Sequence, residues 1–208
     1  LPLMRSGGPV VVLQPIVRLS DGARVGAEAL SRFPAEWGLA PDMCFAQAHS
    51  IGIGHRLELL ALERAADHLD EVGGYVAMNV SPATLLLPQT LDLLERVDAE
   101  RVLLELSEHD QVEDYDALAY GLEPLRAKGM RLAIDDVGAG FSSLRHIVLT
   151  KPDVIKLDRS IVDGLTHDDV LATLVHSLVE FGHAAGAAVV AEGVETAADA
   201  ETLRVHGV

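Results

Sequence analysis

Six apolar stretches of the 208-residue chain end on a side chain that can hold a cation or move a proton. Glu28 closes Val25-Gly26-Ala27, Asn79 closes Val76-Ala77-Met78, and Glu105 follows Leu103-Leu104, with Glu108 close behind. The adjacent pair Asp135-Asp136 closes Leu132-Ala133-Ile134. Lys156 follows Val154-Ile155, with Asp158 just beyond Leu157, and Glu192 closes Val189-Val190-Ala191 ahead of Glu195. Carboxylates drawn to one spot repel strongly at low dielectric, so they coexist as anions only around cations or with shifted pKa values. Donors that are all oxygen, with no Cys or His, suit hard ions such as Mg²⁺ or Mn²⁺. An Asp-Asp pair can offer oxygen to two ions, and two ions about 3.5–4 Å apart suit in-line attack on a phosphodiester. Lys156 lies within an apolar run, where an unpaired ammonium is almost never buried, so it needs anionic neighbours.

Taken singly, each residue has a plainer explanation. A lone acid such as Glu28 at a strand end is more often a helix cap or a solvated loop residue. Asp135-Asp136 ahead of Gly138 and Gly140 can be a capped turn, and Asn79 a turn former before Ser81-Pro82. The joint pattern is far harder to obtain by chance.

Positioning these groups falls to an alternation of strands and helices. Strands are expected at Val10–Arg18, Arg24–Phe33, Tyr75–Val80, Val102–Leu106, Arg131–Ile134, Val154–Leu157 and Ala187–Ala191. Helices are expected from about Asp42, over Arg56–Glu71 and Leu91–Val97, over Tyr115–Lys128 capped by Gly129, over Asp168–Ala185, and over Ala197–His206. The strands are continuous apolar runs, which implies burial on both faces and a parallel sheet under helices. An open doubly wound sheet and a (β/α)₈ barrel both satisfy this. No Gly-rich phosphate turn follows the first strand, which counts against a dinucleotide-binding sheet. In a barrel the strand ends converge on one mouth, where catalytic residues of barrel enzymes gather.

Composition narrows the field. Lys and Arg number 16 against 32 Asp and Glu, a formal net charge of −16, with 49% hydrophobic and 23% charged residues. That is a globular mix with enough apolar surface to exclude disorder. No apolar run reaches the roughly 18 residues of a membrane span, and a basic face for nucleic acid is missing. The single cysteine, Cys44, allows no internal disulfide and reads as a small buried hydrophobe in a reducing compartment. Without a secretory signal pattern near the start, the expected location is the cytoplasm. The nine histidines show no pair at metal-site spacing joined to a third ligand, so surface or core positions are expected for them. Phe33 and Trp37 flank Pro34 and are expected to pack at the barrel edge.

With these residues in this order, the chain resembles the EAL domain family, the cyclic-di-GMP-specific phosphodiesterases of bacteria. The similarity runs from Gln14-Pro15-Ile16 through Glu28-Ala29-Leu30, Asn79-Val80-Ser81 and Glu105-Leu106-Ser107-Glu108. It continues through Asp135 to Leu144, Ile155-Lys156-Leu157-Asp158 and Ala191-Glu192-Gly193-Val194-Glu195. One EAL domain over residues 1–208 is therefore expected. The resemblance implies an α/β, TIM-like (β/α)₈ barrel whose first strand is antiparallel, and hydrolysis of cyclic-di-GMP to linear pGpG. It implies a two-metal site of Mg²⁺ or Mn²⁺. Glu28, Asn79, Glu105 and Asp135 would hold one ion; Asp135, Asp136 and Glu192 would serve the other. Lys156 would stand beside the attacking water, with Glu192 and Asp136 sharing the catalytic work, and Gln14 and Arg32 would contact substrate. The stretch Asp136–Leu144 matches the loop that links site to dimer interface in this family, with Glu108, Asp158 and Glu195 as anchors. A homodimer regulated by a sensor domain or partner follows, without nucleic acid or membrane contact by this domain.

The chain departs from the family pattern at Ser31 and Phe33 around Arg32, and at Val137, Ala139 and Phe141 in the loop. It ends at Val208, before the expected eighth strand, which suggests a piece of a longer protein. Two alternatives remain: a receptor that binds cyclic-di-GMP without cleaving it, and a barrel enzyme for another phosphorylated substrate.

Overall fold

The computed structural model describes residues 8–138 and 143–208. The chain divides into two compact units, each built from strands backed by helices. The first runs to Val17 and resumes over Arg24–Leu104 and Asp116–Met130; the second holds Arg18–Ala23, Glu105–Tyr115 and Arg131–Val208.

In the first unit β1 (Val10–Val17) pairs antiparallel with β2 (Arg24–Arg32), placing Gln14 opposite Glu28. Between Val17 and Arg24 the chain reverses at Ser20-Asp21-Gly22, where Gly22 has φ of 69°. The helices α1 (Pro41–Ser50) and α2 (Gly54–Ala66) come next, and then β3 (Tyr75–Asn79), which runs parallel to β2. Its Tyr75–Met78 are all buried and Asn79 is exposed, so the strand carries its one polar side chain out of the core at its C-terminal end. The short helices α3 (Pro82–Leu85) and α4 (Pro88–Leu94) follow. Each starts on proline, whose fixed φ suits the first helical position. Pro88 is why the helix expected at Leu91–Val97 begins three residues earlier. Strand β4 (Val102–Ser107) starts in this unit and ends in the second, and α5 (Tyr115–Ala127) packs its Leu118, Leu122 and Leu125 inward.

The second unit contains β5 (Arg131–Val137), α6 (Ser143–Thr150), β6 (Val154–Leu157), α7 (Arg159–Val162), α8 (Asp169–Ala184), β7 (Ala188–Ala191) and α9 (Ala197–His206). Strands β5, β6 and β7 lie side by side and parallel. All four residues of β6 are buried, Lys156 among them. Asp168 caps α8 by accepting from Val170 and Leu171, and Thr196 caps α9 by accepting from Asp199, which satisfies donors that the helix itself leaves unpaired. The alternation expected from apolar runs is present, and the antiparallel first pair is borne out by its register. Strand β5 runs three residues past its expected end at Ile134, because the acids that look like a turn in sequence are part of the strand. The short helices α3, α6 and α7 carry too few apolar repeats to be read from periodicity.

Candidate active site

In the second unit, the β-ladder is interrupted where the paired acids fall. Ile134 pairs with Ile155 but Val137 with Leu157, so β5 holds one residue more than β6 across this step. Asp136 has φ of 61°, a left-handed conformation that Asp tolerates better than most residues. In a regular strand two neighbours point to opposite faces. The bulge and the turned backbone re-aim the second side chain, so that oxygens of Asp135, Asp136 and Glu192 lie within 4.8 Å of one another. The Asp136 N–H donates to Asp135 Oδ1 at 2.8 Å, and Ser107 Oγ donates to Asp136 Oδ2 at 2.9 Å.

Lys156 answers the charge. Its side chain is 2% exposed, and its Nζ lies 3.0 Å from Glu105 Oε1, 2.9 Å from Asp135 Oδ2 and 2.7 Å from Glu192 Oε1. One ammonium faces three carboxylates, with a fourth, Asp136, alongside. The surplus negative charge in a mostly buried place is what a hard divalent ion would neutralise.

In the first unit, Asn79 Nδ2 donates to Glu28 Oε1 at 3.3 Å. Gln14 and Glu28 are cross-strand partners, and directly opposed side chains share a face of the sheet. Glu28 and Arg32 are four residues apart in β2 and also share a face. Arg32 and Asn79 line a cavity of about 340 Å³ together with Leu30, Met78 and Phe45, within the range of small-molecule sites. Phe33 stacks on Trp37 at 6.0 Å and meets Phe45 edge-on at 5.5 Å. Cys44 is buried as expected, and burial together with the Asp42 charge pushes its thiol pKa up.

The expected anchor residues occupy distinct local settings. Glu108 is 1% exposed, and its N–H donates to the Asp135 carbonyl at 3.0 Å. Asp158 caps α7 by accepting from Ser160 N at 2.8 Å, and Glu195 pairs with Arg159 at 2.6 Å on the surface. Of the expected loop Asp136–Leu144, Ala139, Gly140, Phe141 and Ser142 lie outside the described residues. On its far side His146 is buried and hydrogen-bonded to Tyr115 Oη at 3.1 Å. Burial holds the His146 pKa below 6.5, against the opposing pull of Glu108.

Two features escaped sequence reasoning. Ser107 contacts Asp136, and its only signal was its place between Glu105 and Glu108. The other is a cluster: His49 and His55 are exposed, as expected of surface histidines, and with Glu58 they bring ligand atoms within 4.8 Å of one another. Their spacing of six and three residues spans a helix–loop–helix corner, so no single-helix pattern reveals it.

A family model for the EAL domain matches residues 3–208. A Mycobacterium tuberculosis protein named only as uncharacterized is 34% identical over 217 residues, covering 95% of this chain and 70% of its own length. The probable cyclic di-GMP phosphodiesterase PdeB of Escherichia coli is 32% identical over 208 residues, covering 94% of this chain and 39% of PdeB. Among solved structures, the manganese and cyclic-di-GMP complex of Klebsiella pneumoniae BlrP1 superposes with a TM-score of 0.82 at 31% identity, covering 96% of this chain and 53% of that one. The chain thus spans about half the length of the solved relative and less of PdeB. Family match, identity and fold agree: the chain belongs to the EAL domain family.

Proposed function

We propose that the chain is a metal-dependent phosphodiesterase that hydrolyses cyclic-di-GMP to linear pGpG. The observation that carries this reading is the gathering of Asp135, Asp136 and Glu192 oxygens within 4.8 Å, with Lys156 paired into the same cluster. The donor chemistry fits a hard divalent ion: carboxylates, one amide and no sulfur. In the second unit Glu105, Asp135, Asp136 and Glu192 would hold Mg²⁺ or Mn²⁺, and in the first Glu28 and Asn79 are the candidate metal ligands; BlrP1 was solved as a manganese complex. Bound in pairs, such ions polarise the phosphodiester and bring the pKa of water toward neutrality.

The chain's own residues supply the rest. Lys156 is a fixed cation whose three carboxylate contacts orient it, and it stabilises negative charge developing on phosphorus oxygens. Glu192 and Asp136 accept the proton of the attacking water. The Arg32 guanidinium binds a phosphate of the dinucleotide through its planar fork, with Gln14 as a second polar contact. A net charge of −16 does not oppose an anionic substrate, because bound cations and Arg32 reverse the local sign.

A homodimer is part of the same proposal. Helix α6 exposes Leu144 at 52%, Val148 at 59% and Leu149 at 45%, an apolar face suited to a second copy of the chain. Fused or separate sensor domains acting on that dimer fit relatives longer than this chain. Cytoplasmic placement rests on the single buried thiol, and no helix among the described residues is long and apolar enough to cross a membrane.

The test is chromatography of nucleotide products from the metal-loaded protein and cyclic-di-GMP, with and without chelator. Linear pGpG that disappears with chelator, and with Glu28→Ala or Asp135→Ala, is the expected result. Intact dinucleotide recovered from a metal-loaded dimer that binds it would overturn hydrolysis in favour of a receptor.

A further inference from the structure

We infer that the corner between α1 and α2 is a second metal site, one for a borderline-soft transition ion of the Zn²⁺ class. It lies wholly within the first unit. Its donors are His49 in the last turn of α1, and His55 and Glu58 in the first turns of α2. One ligand atom from each lies within 4.8 Å of the others, and His49 Nε2 already meets Glu58 Oε1 at 2.5 Å. Zinc bonds of about 2.0–2.2 Å in a tetrahedron put ligand atoms roughly 3.3–3.6 Å apart. Small rotations of two solvent-exposed imidazoles reach that spacing.

The surroundings are those of a supported site. The second nitrogen of one histidine is engaged: His55 Nδ1 meets Thr84 Oγ1 at 2.8 Å, leaving Nε2 to bind. The second oxygen of Glu58 accepts from Ser81 N at 2.9 Å and Ser81 Oγ at 2.7 Å. Such partners fix ligand orientation and tautomer. Gly54 provides the seat: a Cβ there would lie 2.3 Å from the His49 ring. Its backbone φ is not in the left-handed region, so close approach of the imidazole, not chain conformation, demands glycine. Two imidazoles and one carboxylate match the donor set of three-ligand zinc sites and disfavour Mg²⁺. The exposed histidines give the ion its way in. Glu58 also holds the turn two residues past Asn79 through Ser81, so the ion would bear on the end of β3.

The test uses the whole chain, stripped with chelator and then held in millimolar Mg²⁺ to saturate the carboxylates. Zn²⁺ is titrated calorimetrically, and Co²⁺ is followed by its visible absorption. One site with tetrahedral Co²⁺ bands is expected. Replacing an orienting partner typically costs about 10–100-fold in metal affinity, so loss of a direct ligand in His49→Ala or His55→Gln should weaken Zn²⁺ binding by at least about 100-fold. Both positions are exposed, and circular dichroism checks that each variant is folded. Thr84→Val, which touches only the His55 partner, should weaken binding by roughly 10–100-fold. No Zn²⁺ retained against Mg²⁺, or undiminished retention in His55→Gln, overturns the site. Product formation from cyclic-di-GMP is no part of the readout, so this result stands apart from the proposed hydrolysis.

Discussion

Replacing Lys156 by Met removes the charge that three carboxylates share while keeping most of the length of the side chain. Glu105 is 0% and Asp135 10% exposed at the side chain, and Glu192 is 30% exposed. Water therefore cannot take over the role of the ammonium for the first two. Breaking a buried pair by deleting one partner costs about 3–5 kcal/mol. For a chain of 208 residues, 1 kcal/mol moves Tm by about 2–4 °C, so a fall of roughly 6–20 °C is expected in chelator. Mn²⁺ at about 100 times the wild-type Kd should return about 2.7 kcal/mol to the wild type by mass action. The recovery should be larger in the variant than in the wild type, because the carboxylates then have only the ion to face. Differential scanning calorimetry with and without Mn²⁺ reads both quantities. A variant within about 1 kcal/mol of wild type in chelator would refute the charge argument. So would equal stabilisation of both proteins by Mn²⁺.

Two further substitutions separate backbone from side chain. Asp136→Gly keeps the left-handed φ of 61° and should preserve stability while removing hydrolysis, whereas Asp136→Val should lose a further ~1–3 kcal/mol from strain; urea melts showing equal stability for the two would deny that the turned backbone matters. The His146 pKa is held below its ordinary 6.5 by burial, so the native state binds fewer protons than the unfolded one in this range. Its stability is full above the unfolded pKa of about 6.5 and falls as pH drops through that value toward the native pKa. His146→Gln should flatten this decline, measured as urea stability between about pH 7 and 5; parallel slopes for both proteins would count against it.

Much of the site was legible because polar groups closing buried strands are costly unless used. Lys156 is the clearest instance: a cation inside Val154–Leu157 had to have anions near it, and they are Glu105, Asp135 and Glu192. Strand β3 was readable because its apolar run is unbroken up to Asn79, and β4 and β6 because apolar residues flank Glu105 and Lys156 on both sides. The bulge in β5 was not, since the residues that make it, Asp135-Asp136, carry turn chemistry, and only pairing with β6 keeps them in the sheet. The His49–His55–Glu58 cluster was hidden because its geometry depends on a glycine chosen for contact, and nothing in the letter Gly54 tells contact from flexibility. Helix α4 starts at Pro88, ahead of the expected Leu91, because proline's fixed φ opens a helix before its leucines begin.

The surplus residue in β5 is absorbed within two positions. On either side Ile134 and Val137 remain buried against β6 as though nothing had intervened. The irregularity is thereby insulated: the hydrophobic frame does not depend on which groups occupy the kink, and those groups do not depend on the frame's alternation. Chemistry at that place can be rewritten by substitution while the scaffold around it stays untouched, whereas removing a single residue would restore an unbroken ladder and turn one of the two acids to the other face of the sheet.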